Sequence, residues 1–292
     1  MEAEMGSVKD LYGKGRVVLS CEIYPPKKED EFLNIHAKLD RLAEIGPDFV
    51  SITYGAGGSN AGKAIDIADY AKNKAGLEVV SHITSVGFSR ADLTEGLRKF
   101  QEIGVENVLA LRGDRPQTMS DEQFNSRDFQ HASDMASFIT ENNMGFTVLG
   151  ACYPHRHPEA LNDEIDLENT VTKVNSGCQV LISQLFFEND YFLRLVDNLR
   201  KKGVTAPVSA GIMPITSAKQ LGTTVTLSGT TVPEELASII SKHGDNPEEM
   251  RKYGIEYAIK QSRELIEKGA DGIHLYIMNK PELAATIYDA IK

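Results

Sequence analysis

The sequence is poor in cysteine. Its three cysteines, Cys21, Cys152 and Cys178, lie far apart among 292 residues and form no C-x-x-C pair. Disulfide frameworks and cysteine zinc sites need thiols that are more numerous or more closely spaced. The spacing therefore argues against a disulfide-stabilised secreted protein and against a cysteine zinc site, and it favours a reducing, cytoplasmic environment.

Long apolar runs and basic clusters are missing as well. No apolar run approaches the roughly 18 residues of a membrane span, and the acidic, polar first residues, MEAEMGSVKD, do not resemble a signal peptide. The formal net charge is -11 without any cluster of Lys and Arg, so the chain lacks the positive surface that nucleic acids require. We therefore expect a protein that is not exported and that binds neither membranes nor nucleic acid.

One local pattern recurs along the chain. A helical segment ends in a glycine, and a connection of two or three residues leads into an apolar run. Glycine suits this position because helices often close with a left-handed residue, which glycine adopts at little steric cost. Short apolar strands alternating with helices indicate a parallel sheet covered by helices. The glycines of this pattern are Gly46, Gly76, Gly104, Gly145, Gly177, Gly203 and Gly269.

Together with the first run, RVVLSCEIYPP, the pattern predicts eight strands, each followed by a helix. Such a chain of under 300 residues is typical of an α/β protein of the (β/α)8 barrel, or TIM barrel, class. We expect a single catalytic domain over residues 1–292, with residues 1–14 as an extension or helix leading into strand one. A doubly wound sheet is the alternative, but GAGGSN has Asn60 where the G-x-G-x-x-G fingerprint requires its last glycine, and no Walker sequence occurs.

The polar residues of the predicted strands collect near the strand ends, where TIM barrels carry their functional sites. Because side chains alternate along a strand, Cys21 and Ile23 should face the helices and leave Glu22 and Tyr24 in the barrel interior. A lone inward polar residue is more often a hydrogen-bonded core group than a ligand, but polar groups from seven strands at one rim indicate a pocket. The further inward residues are Ser51, Thr53, His82, Arg112, Asp114, Tyr153, Gln184, His274 and Tyr276.

Glu22 is the candidate acid. A carboxyl group in a mostly apolar interior has a raised pKa and is able to donate a proton near neutral pH. A glutamate paired with a nearby lysine or arginine is an equally good interpretation of the sequence alone.

Two short motifs have competing interpretations. His155 and His157, in HRHPE, have the spacing of a metal site in a metal-dependent hydrolase barrel, but they straddle an arginine and precede a proline, and the other histidines are scattered. A cofactor contact or a capped loop is the preferred interpretation. The tripeptide 112–114, Arg-Gly-Asp, is known from cell adhesion, yet here it ends an apolar run of a protein that we expect to stay inside the cell. We interpret it as part of a binding site.

Several segments, in chain order, resemble the methylenetetrahydrofolate reductase family of flavin-dependent barrels. They cover residues 17 to about 290, and although each is weak alone, the ordered set is highly specific. The resemblance implies reduction of 5,10-methylenetetrahydrofolate to 5-methyltetrahydrofolate, with FAD as cofactor and NADH or NADPH as donor, by a ping-pong reaction in one pocket. The segments are CEIYPPK, FVSITYGAGG, SHITSVG, NVLALRGD, YPHRHPEA, LISQLFFEND, GIMPI and HLYIMN.

The resemblance also implies roles for individual residues. Glu22 matches the general acid that protonates N10 of the folate, so that its ring opens to a 5-iminium cation that accepts hydride. Asp114 would hydrogen-bond the pterin and tune the potential of the flavin, while Lys173 and His157 are suited to the diphosphate. The other implied flavin contacts are Thr53, Tyr54, Ala56, His82, Leu111, Arg112, Gly113, Ala132, Tyr153, Ala160, Asp166 and Asn169. The implied contacts to folate or nicotinamide are Gln184, Gln220, Tyr276 and Lys280.

Three positions depart from the pattern of the family. Thr172 stands where a basic residue is expected beside Lys173, and Thr224 stands where some members stack an aromatic ring on the substrate. Lys280 replaces an arginine, which keeps the charge but loses the planar fork. These departures bear on affinity and nicotinamide preference and leave the reaction class intact.

The sequence leaves open the choice between NADH and NADPH and whether a partner subunit delivers the electrons. We expect a homo-oligomer, as is common in the family. Because the sequence ends with the barrel, we expect no adenosylmethionine-binding regulatory domain.

Overall fold

The strands of this protein close into a barrel. The structure, a computed structural model, describes residues 6–26, 34–54 and 61–292. Each strand pairs in parallel with the strand that follows it along the chain, and β8 pairs with β1 to close the barrel. The predicted (β/α)8 barrel is therefore confirmed. The strands are β1 (Val18–Ile23), β2 (Phe49–Ile52), β3 (Val79–Thr84), β4 (Asn107–Leu111), β5 (Thr147–Cys152), β6 (Cys178–Ser183), β7 (Val208–Ile212) and β8 (Gly272–Tyr276).

Helices alternate with the strands, but not strictly one to one. A short extra helix, α4, follows β4, and three helices, α8 to α10, lie between β7 and β8. Within the described ranges, no helix is both long and apolar enough to cross a membrane. The helices are α1 (Ile35–Ile45), α2 (Ala61–Asn73), α3 (Arg90–Glu102), α4 (Asp121–Asn125), α5 (Ala132–Glu141), α6 (Asp163–Asn175), α7 (Asn189–Lys201), α8 (Ala218–Ser228), α9 (Glu234–His243), α10 (Pro247–Glu267) and α11 (Pro281–Ile291).

The recurring glycines lie where the sequence predicted them. All seven adopt positive φ angles, from 71° at Gly76 to 113° at Gly177, between the end of a helix and the start of the next strand. Side chains other than glycine rarely adopt this conformation, because their Cβ atom crowds the backbone. This steric preference is why the glycine pattern located the strand starts.

The alternation of side chains along β1 separates two apolar layers. Cys21 and Ile23 belong to the large layer between strands and helices, as predicted. Val18 belongs to a second layer, which fills the N-terminal half of the barrel interior together with Phe49, Val80, Leu109, Leu149, Val180 and Ile182.

A short 3-10 helix, Val8–Leu11, closes the N-terminal end of the barrel. Its Val8 is fully buried in the inner apolar layer, and the Val8 N–H donates a hydrogen bond of 3.0 Å to Asn107 Oδ1. The N-terminal end of the interior is therefore filled and apolar, so the polar residues of the strands concentrate at the C-terminal end.

Candidate active site at the strand ends

A cleft of about 280 Å³ opens beside the C-terminal ends of β4 and β5. Its walls come from the residues after these two strands, from the first turn of α5 and from α6. Two larger grooves lie along the outer surface of α10, remote from the strand ends. The structure thus brings nine of the predicted flavin contacts together in one place. They are Leu111, Arg112, Ala132, Tyr153, His157, Ala160, Asp166, Asn169 and Lys173.

Lys173 is a largely enclosed cation of this cleft. Its ammonium group donates a hydrogen bond to the carbonyl oxygen of Ala151 and lies 5.8 Å from the ring centroid of Tyr153. Burial lowers the pKa of Lys173 because the charged form loses hydration. The neighbouring Thr172 also lines the cleft, and its hydroxyl donates to the carbonyl oxygen of Glu168 at 2.8 Å. Position 172, where the resemblance leads us to expect a basic residue, is therefore part of the cleft wall.

His157 is held as a neutral imidazole. Its backbone N–H donates to Asp166 Oδ2 at 3.2 Å, and its Nδ1 accepts from the Glu159 N–H at 3.1 Å. Burial lowers the pKa of His157, and the positive charge of Arg112 lowers it further. Because Nδ1 is an acceptor, the proton of the neutral ring lies on Nε2, which is the donor that this side chain offers.

Glu159 was not among the predicted site residues. Arg112 donates hydrogen bonds to both of its carboxylate oxygens, with 2.7 Å between Arg112 Nη2 and Glu159 Oε1. These bonds raise the pKa of Arg112 and lower the pKa of Glu159. The pair joins the end of β4 to the loop after β5. No local signal in the sequence links these positions. His131 and Ser133, at the start of α5, also line the cleft and were not predicted.

The two histidines of the HRHPE segment face different neighbours. The ring of His155 lies 3.9 Å from that of Tyr191, whereas the ring of His157 lies 4.7 Å from that of Tyr153. Over the part of the chain that the structure describes, no group of three His, Cys, Asp or Glu side chains is arranged to hold a metal ion. The geometry therefore gives no support to the hydrolase alternative.

Glu22 lies at the end of β1 and faces the barrel interior. Its Oε2 is 3.8 Å from Nε2 of His82, and 23% of its side chain remains exposed. Burial raises the pKa of Glu22 to about 7 and lowers the pKa of His82 to about 3. Within the described ranges, no lysine or arginine forms an ion pair with Glu22. Among the described residues, this geometry fits a carboxyl group whose pKa is raised by burial, and the role of Glu22 as a catalytic acid stays a prediction.

Other inward polar residues bond to one another below Glu22. His274 Nδ1 lies 2.8 Å from Ser20 Oγ, and His274 Nε2 lies 3.4 Å from Ser51 Oγ. Burial lowers the pKa of His274 to about 3, with a smaller contribution from His82. Ser51 and His274 are therefore hydrogen-bonded core groups.

The residues after β4 approach the neighbouring strand closely. Gly113 has a φ of 80°, and a Cβ atom there would lie 3.0 Å from the Cβ of Thr84, so both the conformation and the space require glycine. Asp114 is exposed. The pKa of Tyr153 is raised to about 12, first by burial and then by the charges of Asp166 and Asp114. Asp114 therefore lies within electrostatic range of the cleft.

Two further implied flavin contacts, Thr53 and Tyr54, directly follow β2. The N–H of Thr53 donates to the carbonyl oxygen of Ile23 at 3.0 Å. Tyr54 is buried, with its ring centroid 5.4 Å from that of Phe88. Ala56 lies outside the described residues.

Two of the four implied substrate contacts lie at the barrel rim. Tyr276, the last residue of β8, donates its hydroxyl proton to the carbonyl oxygen of Ser183 at 2.8 Å. Gln184 follows β6 directly, and its Oε1 accepts from the N–H of Leu185 at 2.9 Å.

The other two implied substrate contacts, Gln220 and Lys280, lie elsewhere. Gln220, in the first turn of α8, is bonded to the loop before that helix: Oε1 accepts from the N–H of Thr216 at 2.9 Å, and Nε2 donates to the carbonyl oxygen of Pro214 at 3.2 Å. Lys280 is exposed just before α11. Thr224, one of the departures, is buried in α8, where its hydroxyl donates to the sulfur of Met213 at 3.3 Å.

Comparison with solved structures places this fold beside a folate-binding barrel. A protein from Clostridium thermocellum, described as binding two copies of 5-methyl-5,6,7,8-tetrahydrofolic acid, superposes with a TM-score of 0.65 over 94% of each chain, at 15% sequence identity. A dihydropteroate synthase from Stenotrophomonas maltophilia superposes with a TM-score of 0.53 at 14% identity, over 95% of this chain and 93% of that one. At such identities the likeness concerns the fold alone.

Comparison of sequences gives the family. The maize protein "Methylenetetrahydrofolate reductase (NADH) 1" is 32% identical over an alignment of 292 positions, which covers 96% of this chain and 49% of the maize protein. The present chain thus spans about half the length of such plant relatives. The "5,10-methylenetetrahydrofolate reductase" of Pectobacterium carotovorum is 31% identical, over 94% of this chain and 90% of that protein. The model of the family described as "Methylenetetrahydrofolate reductase" matches residues 7–292, and the chain therefore belongs to the methylenetetrahydrofolate reductase family.

Proposed function

We propose that this protein reduces 5,10-methylenetetrahydrofolate to 5-methyltetrahydrofolate by a ping-pong reaction, with FAD as its cofactor and NADH or NADPH as the electron donor. The observation that carries the proposal is the environment of Glu22, a carboxyl group inside the barrel whose pKa burial raises to about 7. The names of the bacterial relatives support the substrate, as does the folate bound by the Clostridium thermocellum protein. The names of the plant relatives favour NADH as the donor.

The donors in the cleft fit a cofactor with a diphosphate group. The α5 helix begins at Ala132 in the cleft wall, and the N-terminus of a helix favours negative charge through its free N–H groups. The Lys173 ammonium and the Nε2 proton of His157 add two further donors. We assign these three groups to the diphosphate. Bound there, FAD would supply the hydride that reduces the bridging carbon of the folate.

Glu22 acts as the proton donor in this proposal. With a pKa of about 7, a large fraction of its carboxyl groups is protonated at neutral pH. The facing His82 is neutral, so no cation holds Glu22 in the charged form. Glu22 then transfers its proton to N10 of the folate, the bond from N10 to the bridging carbon breaks, and the remaining carboxylate faces the cation on the folate.

A ping-pong reaction requires one pocket to serve two molecules in turn. Tyr276 and Gln184 at the rim and the exposed Lys280 are our candidates for binding folate and the nicotinamide alternately. Gln220 is already hydrogen-bonded on both sides of its amide, so it acts in this proposal by shaping the loop that precedes α8.

The proposal is tested by an anaerobic absorbance spectrum of the purified protein supplemented with FAD. We expect a flavin band that bleaches on addition of NADH or NADPH and returns when methylenetetrahydrofolate is added. A band that bleaches with dithionite but with neither nicotinamide would show a different electron donor. Absence of any bound flavin would overturn the proposal.

A further inference from the structure

The side-chain amide of Asn279 forms the hydrogen bonds to the backbone of Tyr24 that a neighbouring strand would otherwise form. Its Oδ1 accepts a hydrogen bond of 3.0 Å from the N–H of Tyr24, and its Nδ2 donates one of 2.9 Å to the carbonyl oxygen of the same residue. Asn279 is only 6% exposed. Both backbone groups of Tyr24 are therefore bound by one buried amide.

The backbone around Asn279 explains why a side chain takes this place. The parallel ladder between β1 and β8 reaches its last pair at Glu22 and Tyr276. Beyond it, Met278 and Asn279 have φ angles of 51° and 55°, so the chain turns away from β1 in the left-handed conformation. Asparagine tolerates this conformation better than most side chains. Its amide continues the ladder that the backbone has left.

Tyr24 directly follows the end of β1, two residues after Glu22. On the opposite edge of β1, the N–H of Thr53 donates to the carbonyl oxygen of Ile23. The segment that ends in Tyr24 is thus held by β2 on one side and by Asn279 on the other. Loss of the Asn279 amide would remove both of these hydrogen bonds from the backbone of Tyr24.

We propose that Asn279 is a positioning residue that holds the end of β1, so that the partly buried Glu22 carboxyl stays in the barrel interior beside His82. The inference rests on the proposed function, in which Glu22 donates the proton. It adds a residue that acts through Tyr24 and touches no reacting atom.

The test compares two asparagines that share a backbone conformation. Asn143 has a φ of 50° and is exposed after α5, at the end of a helix that leads into the N-terminal end of β5. The Asn279→Gly substitution removes the amide without adding strain, and Asn143→Gly makes the same change away from the site. The pair Asn279→Ala and Asn143→Ala adds the strain of a Cβ at positive φ, so that a general loss of stability is measured at both positions.

The first readout is oxidation of the reduced flavin by saturating methylenetetrahydrofolate across pH. For Asn279→Gly we expect this step to slow by about 10- to 100-fold, the scale that a displacement of about 1 Å produces. The alkaline limb of the pH profile should also move to lower pH, because a better hydrated Glu22 has a lower pKa. Asn143→Gly should keep the wild-type rate and limb. An unchanged limb in Asn279→Gly, or an equal change in Asn143→Gly, would overturn the inference.

The second readout needs no turnover. Folded Glu22 keeps its proton up to a pKa of about 7, whereas in the unfolded chain it releases the proton near 4.5. Wild type should therefore lose stability relative to Glu22→Gln as pH rises through that window. The groups facing Glu22 are His82 of β3 and Tyr276 of β8, and Tyr276 does not titrate in this window. His82 does so only in the unfolded chain, where its pKa is 6.5, and this opposite contribution to stability is present in Glu22→Gln as well, so the comparison with that variant cancels it.

Thermal denaturation of the variants completes the test. We expect the stability of Asn279→Gly to fall less than that of wild type as pH rises through this window. The stability of Asn143→Gly should fall as much as that of wild type. If wild type binds no flavin, the proposed function fails, and this measurement still decides whether Asn279 keeps Glu22 buried. If the stability of Asn279→Gly falls with pH as much as that of wild type, the positioning role is refuted.

Discussion

His82 and Glu22 lie 3.8 Å apart, from Nε2 to Oε2, in protonation states that do not form an ion pair. Burial lowers the pKa of the histidine to about 3 and raises that of the glutamate to about 7. At neutral pH a neutral imidazole therefore faces a carboxyl group in the middle of its titration. Desolvation disfavours charge on both groups, and this keeps a proton available on Glu22.

Replacement of Glu22 by glutamine should separate the two half-reactions. Glutamine keeps the shape of the side chain but has no acidic proton, so flavin oxidation by methylenetetrahydrofolate should slow by about 10²- to 10⁴-fold. Flavin reduction by the nicotinamide should stay within a few-fold of wild type. Stopped-flow absorbance of the flavin band measures both steps. Equal loss in the two steps would contradict the role of Glu22 as the acid.

The pH dependence of the folate step follows from the raised pKa of Glu22. The protonated carboxyl is the active form, so the rate should be highest below pH 7 and fall as pH rises through about 7. The nicotinamide step, which uses no proton from Glu22, should lack this limb and serves as the control. A folate step that is flat from about pH 6 to about pH 8 would show that another group supplies the proton.

Thr172→Lys places a cation at the position where the family resemblance leads us to expect a basic residue. Because Thr172 lines the cleft, the new charge should tighten FAD binding by roughly fivefold at low salt, the factor that about 1 kcal/mol of screened attraction gives. High salt should remove most of the gain.

Thr223→Lys is the matched control for this substitution. Thr223 is also an exposed helical threonine, and its hydroxyl donates to the carbonyl oxygen of the residue four positions earlier, as that of Thr172 does. Thr223 lies in α8, outside the cleft. A titration of flavin fluorescence measures both variants. Equal gains at the two positions would show that overall charge, and not the cleft, accounts for the effect.

Gly211 of β7 packs closely against Tyr276, so a larger residue at position 211 should destabilise the protein. A Cβ atom there would lie 2.2 Å from the carbonyl oxygen of Ser183 and 2.8 Å from Cε2 of Tyr276. We expect Gly211→Ala to reduce the free energy of unfolding by about 1–3 kcal/mol, as overpacking does. A Cβ atom added at Gly222, in helix α8, would meet no other atom within 4 Å, so Gly222→Ala should raise the free energy of unfolding by about 0.5–1 kcal/mol. Urea denaturation of both variants checks the contrast, and similar stabilities would refute it.

The barrel could be predicted from the sequence because its signals are local. Gly46, Gly104 and the equivalent glycines mark helix ends through their own φ preference, and the apolar runs after them are short enough to be strands. Alternation along β1 then placed Cys21 toward the helices and Glu22 in the interior. These inferences depend on neighbouring residues of the chain, so they needed no tertiary contact.

The nature of the site depended on contacts between distant parts of the chain. Whether Glu22 is paired with a cation or buried without one depends on the facing strands, and the sequence left both interpretations open. Glu159 reaches Arg112 across 47 positions, and Asn279 reaches Tyr24 across 255. No periodicity or spacing records such partners.

By itself, the sequence determined the alternation of strands and helices, the inward face of strands such as β1 and the order of the family's segments, because each of these is a local preference or a local pattern. Only the tertiary structure decided which polar groups share a cleft, which of them are already bonded to one another and which carboxyl group loses its water. Hydrogen bonding and desolvation depend on distances in space, and closing the barrel is what sets those distances.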